Sequence, residues 1–420
     1  MTVYDAIIVE ENISSLMTAC LLQYNGIKTL IFENTKSEIT KVLESLYYWD
    51  PDKGALGIAL KKLGIESTFI GQKVKYTDKL ILEDISLMRD TDVEIYMEKL
   101  VNLFPDNKEE ITQLFNDMRL VSEEWLRLLD AGSVFTAGSL KQMMKFKNVS
   151  FADYLDRTIS NERLKELLML DCDKKNAAFV VISGYVFSQV MDGYIVGDVS
   201  EVYSLLKDFF VKEGGEIMVD SHLTQITKED DRYLINDDKD NVFCSELIVS
   251  PYTERIFKKK YFGDTFDEGN NIGTQYVVID IESVCSASCG FCVREKTYCV
   301  FENVKCILNV LRTQDRVVIK INCEDELYVN HRLVKHICKV CGIERHKHVD
   351  IYDNERLEQE IGLWAQDIQG WEFDSKQMQQ NVMEIESSSK GLYTLGEWGC
   401  AHFTAAICVA NTIVKRRNSK

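Results

Sequence analysis

Apolar and polar positions along the chain alternate in two distinct rhythms, and the first thirty-odd residues already show both. Tyr4-Asp-Ala-Ile-Ile-Val9 predicts a strand, Ile13 to Tyr24 a helix, Asn25-Gly26 a turn, and Lys28-Thr-Leu-Ile-Phe-Glu33 a second strand that ends on an acid. Strand, helix and strand in so short a span predict a βαβ unit. Val3 to Val9 and Lys28 to Phe32 are then expected to be adjacent and parallel, with the helix crossing between them in the right-handed sense.

Further along, Asp52 to Gly64 predicts a short helix closed by glycine. The clearest helical period follows Phe104-Pro105-Asp106, where Ile111, Leu114, Phe115, Met118, Val121, Trp125, Leu128 and Leu129 recur every three or four residues. That is one apolar stripe, and the proline and Glu109-Glu110 before it are start signals. Phe151-Ala-Asp-Tyr-Leu and Asn161 to Leu170 predict two short helices, and Val199 to Lys212 a longer one ended by Gly214-Gly215. Strands are expected at Glu216-Ile-Met-Val, Leu223-Thr-Gln-Ile, Arg232-Tyr-Leu-Ile-Asn and Cys244 to Ser250. The stretch from Gln275 to Asn322 is rich in strand pattern, and Val277 to Phe301 alternates. Asp325 to Val340 predicts a helix. Gly391-Leu-Tyr-Thr-Leu-Gly396-Glu397 predicts a strand of the first sheet, followed by a small-residue helix from Thr404 to Val414.

A chain of 420 residues exceeds one ordinary core, so two domains are expected. With 45% apolar and 28% charged residues it is an ordinary globular composition. The formal net charge of −18 argues against nucleic acid and anionic membrane surfaces as partners. The longest uncharged apolar run, Ala177 to Phe187, is 11 residues, well short of the ~20 a spanning helix needs. A strand begins almost at the first residue, which leaves no room for a leader and makes the cytoplasm the expected location. Thirteen cysteines in such a chain are expected to be free thiols rather than disulfides. With three prolines and no low-complexity linker, a discontinuous arrangement is expected, one segment set inserted into another.

The first strand-to-helix turn carries the chemistry. The spacing from the first strand to Glu33 fits the dinucleotide fingerprint G-x-G-x-x-G that ends on a ribose-binding acid about 20 residues on. The three glycine positions are instead Glu10, Asn12 and Ser15, with Glu11 between the first two. The glycines of that fingerprint let the backbone approach a pyrophosphate. Here two carboxylates repel the anion and side chains fill its space. Glu10 and Glu11 are expected to form a solvated loop, and Glu33 is either the ribose acid or a plain strand-end acid.

The order of these parts resembles the FAD-dependent phytoene desaturase, carotenoid isomerase and retinol saturase group of the amine oxidase-like flavoproteins. The resemblance spans nearly the whole chain. It rests on the βαβ unit ending in Glu33, Gly57 to Gly64, the Leu103-Phe-Pro helix, Ser150-Phe-Ala-Asp-Tyr-Leu, Glu213-Gly-Gly-Glu-Ile and the terminal Gly391-Leu-Tyr with Gly396-Glu397. It implies an α/β, Rossmann-like FAD/NAD(P)-binding fold with an inserted mixed α+β substrate domain. The dinucleotide part would comprise residues 1–75, 190–260 and 360–420, and the substrate or cap part 76–189 and 261–359. It implies FAD as cofactor, with Glu33 at the ribose and Gly396 and Glu397 at the pyrophosphate or ribityl chain.

Three cofactor contacts depart from that pattern together: Glu10 to Ser15, Val196-Gly197-Asp198, and Trp398-Gly-Cys-Ala-His-Phe-Thr with its single glycine. His402 is expected to be a surface or loop residue. The reading favoured is a degenerate member, a pseudoenzyme that has lost ordinary FAD binding and serves as a binding or scaffold protein with a protein partner or a second copy. An active FAD oxidoreductase on an apolar polyene, amine or peptide substrate is the alternative.

A third reading comes from Cys285-Ser-Ala-Ser-Cys289-Gly-Phe-Cys292, whose spacing matches three thiolate ligands of an iron–sulfur cluster. Its late position argues for a strand or plain turn instead. Cys338 and Cys341, with His346 and His348 beyond them, have zinc-like elements. The two thiols lie at i, i+3 on a predicted helix, where core packing explains them.

Overall fold

A computed structural model describes residues 1–33, 54–66, 72–73, 76–131, 140–170, 177–185, 194–195, 199–263, 275–281, 294–312, 316–323, 329–343, 346–352, 356, 387, 389–396 and 402–419. Strand β1 (Thr2–Ile8) leads into helix α1 (Ile13–Tyr24) and strand β2 (Thr29–Phe32). β1 and β2 are parallel, with Ala6 opposite Thr29 and Ile8 opposite Ile31. This is the expected βαβ unit. Every residue of α1 from Ile13 to Leu22 is buried, as a helix apolar all round must be. Its polar members return to their own backbone: the Thr18 hydroxyl donates to the Ser14 carbonyl at 2.8 Å.

Next come α2 (Ala55–Leu63), β3 (Gln72–Lys73), β4 (Tyr76–Leu82), β5 (Ile85–Asp90), α3 (Val93–Leu103) and α4 (Lys108–Ala131). Gly64 closes α2 at φ +69°, the left-handed conformation glycine adopts without strain. α4 buries the apolar stripe from Ile111 to Leu129. Two acids also lie on its buried side. Asp117 accepts from the Tyr154 hydroxyl at 2.8 Å, and Glu124 accepts the backbone N–H groups of Gln142 and Met143. Glu124 thus caps the first turn of α5 (Lys141–Phe146) from a neighbouring helix.

The chain continues through α6 (Phe151–Thr158), α7 (Glu162–Met169), α8 (Phe179–Tyr185), β6 (Tyr194–Ile195), α9 (Val199–Lys212), β7 (Glu216–Met218), β8 (Leu223–Glu229), β9 (Arg232–Asp237), β10 (Val242–Ser250) and α10 (Glu254–Phe262). β11 (Gln275–Ile281), β12 (Arg294–Phe301), β13 (Val304–Arg312), β14 (Arg316–Cys323), α11 (His331–Val340), β15 (His346–Tyr352), β16 (Leu392–Thr394) and α12 (His402–Asn418) complete it. The alternating stretch from Val277 is two strands, β11 and β12, and the residues between them lie outside the description. The helix expected from Asp325 begins at His331, because Asn330 is extended and its side chain accepts the N–H groups of Arg332 and Leu333. An asparagine in that role fixes the first turn.

The first sheet has the order β7-β2-β1-β10-β9-β8, and β16 also pairs with β10. β10 is long enough to share one edge. Its first half pairs antiparallel with β9 and its second half parallel with β16, where Ile248 faces Leu392. The terminal strand therefore joins the first sheet, as its sequence predicts. α1, α2, α9 and α12 pack together on one face. Ile7, Leu30, Phe32, Phe243 and Phe257 form a smaller core on the other.

The second sheet has the order β15-β11-β14-β13-β12-β4-β5. α11 packs on it through Leu333, Val334, Ile337 and Cys338, in one cluster with Ile279, Leu308 and Ile319. The thiol of Cys338 is a core group, and burial pushes its pKa up. β3 and β6, where the chain passes between the two sheets in sequence, pair with each other as an antiparallel ribbon.

Candidate functional site

The first strand-to-helix turn is closed from within. Asn12 is the N-cap of α1 in extended conformation. Its side-chain oxygen accepts the Ser15 N–H at 2.8 Å, and the Ser15 hydroxyl oxygen accepts the Asn12 N–H at 2.7 Å. The same hydroxyl donates to the Glu10 carbonyl at 2.8 Å. This is a reciprocal capping box, with serine in the place usual for Glu or Gln. These N–H groups are among those a dinucleotide's pyrophosphate would take, and here two side chains hold them.

Both acids of the turn have cationic partners, so the expected solvated loop is corrected. Glu11 is 4% exposed. Lys207, from α9, reaches its carboxylate at 3.0 Å and also contacts the carboxylate of Glu33. Partial burial works against the Lys207 ammonium, but the hydrogen bonds and charges of Glu33 and Glu11 outweigh it and hold its pKa above the ordinary lysine value. Lys207 thereby joins the turn to the acid expected at a ribose. Glu33 is also anchored through its backbone, its N–H donating to the Met218 carbonyl at 3.0 Å.

Glu10 points the other way, into a cluster on the strand-to-helix connection after β10. Its carboxylate takes short contacts from the Tyr252 hydroxyl and the Lys260 ammonium, and a 3.2 Å hydrogen bond from the Tyr261 hydroxyl. Lys260 also donates to the Tyr252 oxygen at 2.8 Å and lies 4.6 Å from the centre of its ring. Burial, and then the charge of Glu10, push the Tyr261 hydroxyl well above its usual pKa, so it remains a donor.

Gly396 belongs to the same neighbourhood. Its N–H donates to the Tyr252 carbonyl at 3.3 Å. A Cβ added there would lie 2.3 Å from the Thr253 nitrogen and 2.4 Å from the Tyr252 carbonyl carbon. The glycine is required by backbone crossing backbone, which holds Tyr252 where it meets Glu10. Glu397, the Val196 to Asp198 stretch, Trp398 to Ala401, and Cys285, Cys289 and Cys292 lie outside the described residues. His402 opens α12. Cys341 is partly exposed beside the buried Cys338, while His346 and His348 are on β15. Among the described residues no group of three or more such side chains is placed to hold a metal ion.

The residues of this turn do not fit an FAD pyrophosphate. The helix N-terminus is capped by Asn12 and Ser15, the approach is flanked by two carboxylates, and the nearby cations Lys207 and Lys260 are committed to Glu11 and Glu33 and to Glu10. Sequence had found five of these residues, Glu10, Asn12, Ser15, Glu33 and Gly396, and missed Lys207, Tyr252, Lys260 and Tyr261. Lys207 follows Leu206 on an amphipathic helix, and nothing local ties it to an acid almost two hundred residues earlier.

No protein-family model and no curated protein matches this sequence. Solved structures do match it along its length. A putrescine oxidase bound to putrescine is 13% identical, with a TM-score of 0.58 over 100% of this chain and 99% of the other. An oxidoreductase from Methanosarcina mazei is 12% identical, TM-score 0.57, over 99% and 100%. Cyclohexylamine oxidase from Brevibacterium oxydans is 11% identical, TM-score 0.51, over 99% of both. The chain therefore has, from end to end, the Rossmann-like fold of the FAD-binding amine oxidases and related oxidoreductases.

Proposed function

We propose that this protein is a degenerate flavoprotein-fold member that has lost the ordinary FAD grip and acts as a non-catalytic binding or scaffold protein in the cytoplasm, with a protein partner or a second copy of itself. The carrying observation is the closed first turn, where Lys207 bridges Glu11 and Glu33 and the capping box takes the helix N-terminus. An anion brought there meets like charges, at a cost on the order of 1 kcal/mol per close pair in water and more when partly buried. The helix N-terminus offers a favourable contribution of similar size, and here it is already satisfied. The order of motifs supports a place near the phytoene desaturase, carotenoid isomerase and retinol saturase group. On this reading residues 76–189 and 261–359 form a cap that has kept its fold without a flavin to cover.

The test is the visible spectrum of the purified protein together with a titration by FAD. The reading expects no flavin bands after purification and no saturable binding. Flavin retained through purification overturns it in favour of the second reading, an active oxidoreductase, which the end-to-end likeness to amine oxidases supports. Its substrate would then be an apolar molecule or an amine.

A further inference from the structure

The turn that ends the first helix carries a reactive pair, Asn25-Gly26. Glycine has no side chain to shield its nitrogen, so in a free chain that nitrogen attacks the Asn25 side-chain amide readily. A carbon–nitrogen bond forms between Asn25 Cγ and the Gly26 nitrogen, which gives up its proton. The side-chain nitrogen leaves as ammonia. Water then opens the five-membered imide at either carbonyl and leaves aspartate or isoaspartate at position 25. The step is a substitution followed by hydrolysis, and water is its only co-reactant.

The fold opposes each requirement of this step. Asn25 is the C-cap of α1, at φ −89° and ψ 16°. At that ψ the Gly26 nitrogen nearly eclipses the Asn25 nitrogen and is turned away from Cβ, so ring closure needs a large rotation. Gly26, at φ +74°, donates its N–H to the Gln23 carbonyl at 2.9 Å, and Ile27 donates to the Leu22 carbonyl at 3.1 Å. These two bonds are the Schellman arrangement that ends a helix on a left-handed glycine. The first of them holds the proton that the attacking nitrogen must lose. The Asn25 side-chain amide donates to the Leu21 carbonyl at 2.8 Å, which points it back along the helix and away from Gly26.

The residues that follow are anchored too. Ile27 is buried, the Lys28 N–H donates to the Asp5 carboxylate at 2.9 Å, and the Thr29 N–H donates to the Gln23 side chain at 3.0 Å. From the far end of the sequence, Arg417 on α12 donates to the Gly26 carbonyl at 2.7 Å and pairs with Asp5 at 3.3 Å. Rotation about the Asn25 ψ moves the whole of Gly26, so it breaks this contact together with both cap bonds.

We propose that Asn25 is a modification site locked by the fold: it deamidates only when the last turn of α1 opens, and Arg417 is one of the groups that keep the turn shut. The product does not fit the closed turn. A carboxylate there faces the negative end of the helix dipole, and isoaspartate puts an extra backbone carbon into the connection between α1 and β2. Modification at Asn25 therefore accumulates as a record of opening.

The test incubates the full chain at neutral pH, digests it with trypsin, and analyses the peptide Met1–Lys28 by fragment mass. Asn12 lies in the same peptide and precedes the β-branched Ile13, which hinders attack, so it is an internal control. In the chain unfolded by guanidinium, Asn25 is expected to convert at least about ten-fold faster than Asn12. In the native chain its conversion is expected to be slower than in the unfolded chain by about thirty-fold or more, since only the open fraction reacts. Arg417→Ala changes a half-exposed side chain and is expected to raise the native rate about three-fold with unchanged melting. Equal rates in the native and unfolded chains, no preference for Asn25 over Asn12 when unfolded, or a native rate indifferent to Arg417→Ala each overturns the proposal.

Discussion

A lysine that bridges two carboxylates in a partly buried turn has a stability signature of its own. Lys207→Met leaves the Glu11 carboxylate, 2% exposed, without its cation. Removing one partner of a fully buried pair costs about 3–5 kcal/mol. Lys207 is 29% exposed, so a loss of about 2–3 kcal/mol is expected in urea unfolding. Adding Glu11→Gln should restore part of it by removing the stranded charge. A loss within the error of the measurement would show that the bridge does not hold the turn. The pKa of Lys207 is raised on folding, so its contribution is complete below the unfolded value of about 10.4 and is lost as pH rises through the folded value. The gap between wild type and Lys207→Met should therefore be constant from pH 7 to about 9 and narrow only in strong alkali.

At the scale of elements, two connections depend on single residues. Gly396→Ala forces a Cβ into the Pro251 to Thr253 backbone. The strand end must then shift, with an expected cost of about 1–3 kcal/mol and a lower melting temperature. An unchanged melting temperature would mean that the crossing can open freely. The β9–β10 hairpin is held by Asp237, which accepts the N–H of Asn241 at 2.7 Å and of Lys239 at 3.0 Å, and the Ser221 hydroxyl at 2.7 Å. Burial would raise its pKa, but the hydrogen bonds from Asn241 and Ser221 prevail and hold it below the usual carboxylate range. Its stabilisation is thus present above the unfolded value of about 3.9 and lost as pH falls through the folded one. Asp237→Asn is expected to cost about 1–2 kcal/mol at neutral pH. Amide exchange across β9 and β10 should be faster in the variant, by a factor that shrinks below about pH 4. Equal rates at neutral pH would remove the carboxylate from the account.

At the scale of the whole molecule, the fold is that of the amine oxidases it resembles, and the first strand-to-helix turn is closed by its own side chains. Ligand binding to the native state raises the melting temperature, so wild-type protein is expected to melt at the same temperature with and without FAD. Changing Glu10, Asn12 and Ser15 to glycine together removes one carboxylate and the capping box. The variant should lose a few tenths of a kcal/mol for its cap and about 0.5–1 kcal/mol for a glycine in the first turn of the helix, and gain a weak FAD-dependent shift. A wild-type shift as large as the variant's would show that the closed turn is no barrier. The frame was readable because helix and strand periods are local: α1, α4 and α9 are where their apolar spacing and end signals place them. The helix start at His331 was not, because the cap formed by Asn330 competes with an apolar period that gives no boundary of its own.

Sequence by itself determined the βαβ unit, the return of Leu392 to Thr394 to the first sheet and the presence of Glu10, Asn12 and Ser15 in the first turn, since each depends on residue type and short-range spacing. It left Glu10 and Glu11 as two acids facing water. Only the tertiary structure decided that Lys207 and the Tyr252–Lys260–Tyr261 cluster neutralise them, and that Arg417 of α12 reaches the Asn25-Gly26 turn. Those partners come from distant segments brought together by sheet order and helix packing, and side-chain electrostatics depends on distances in space that no local pattern encodes.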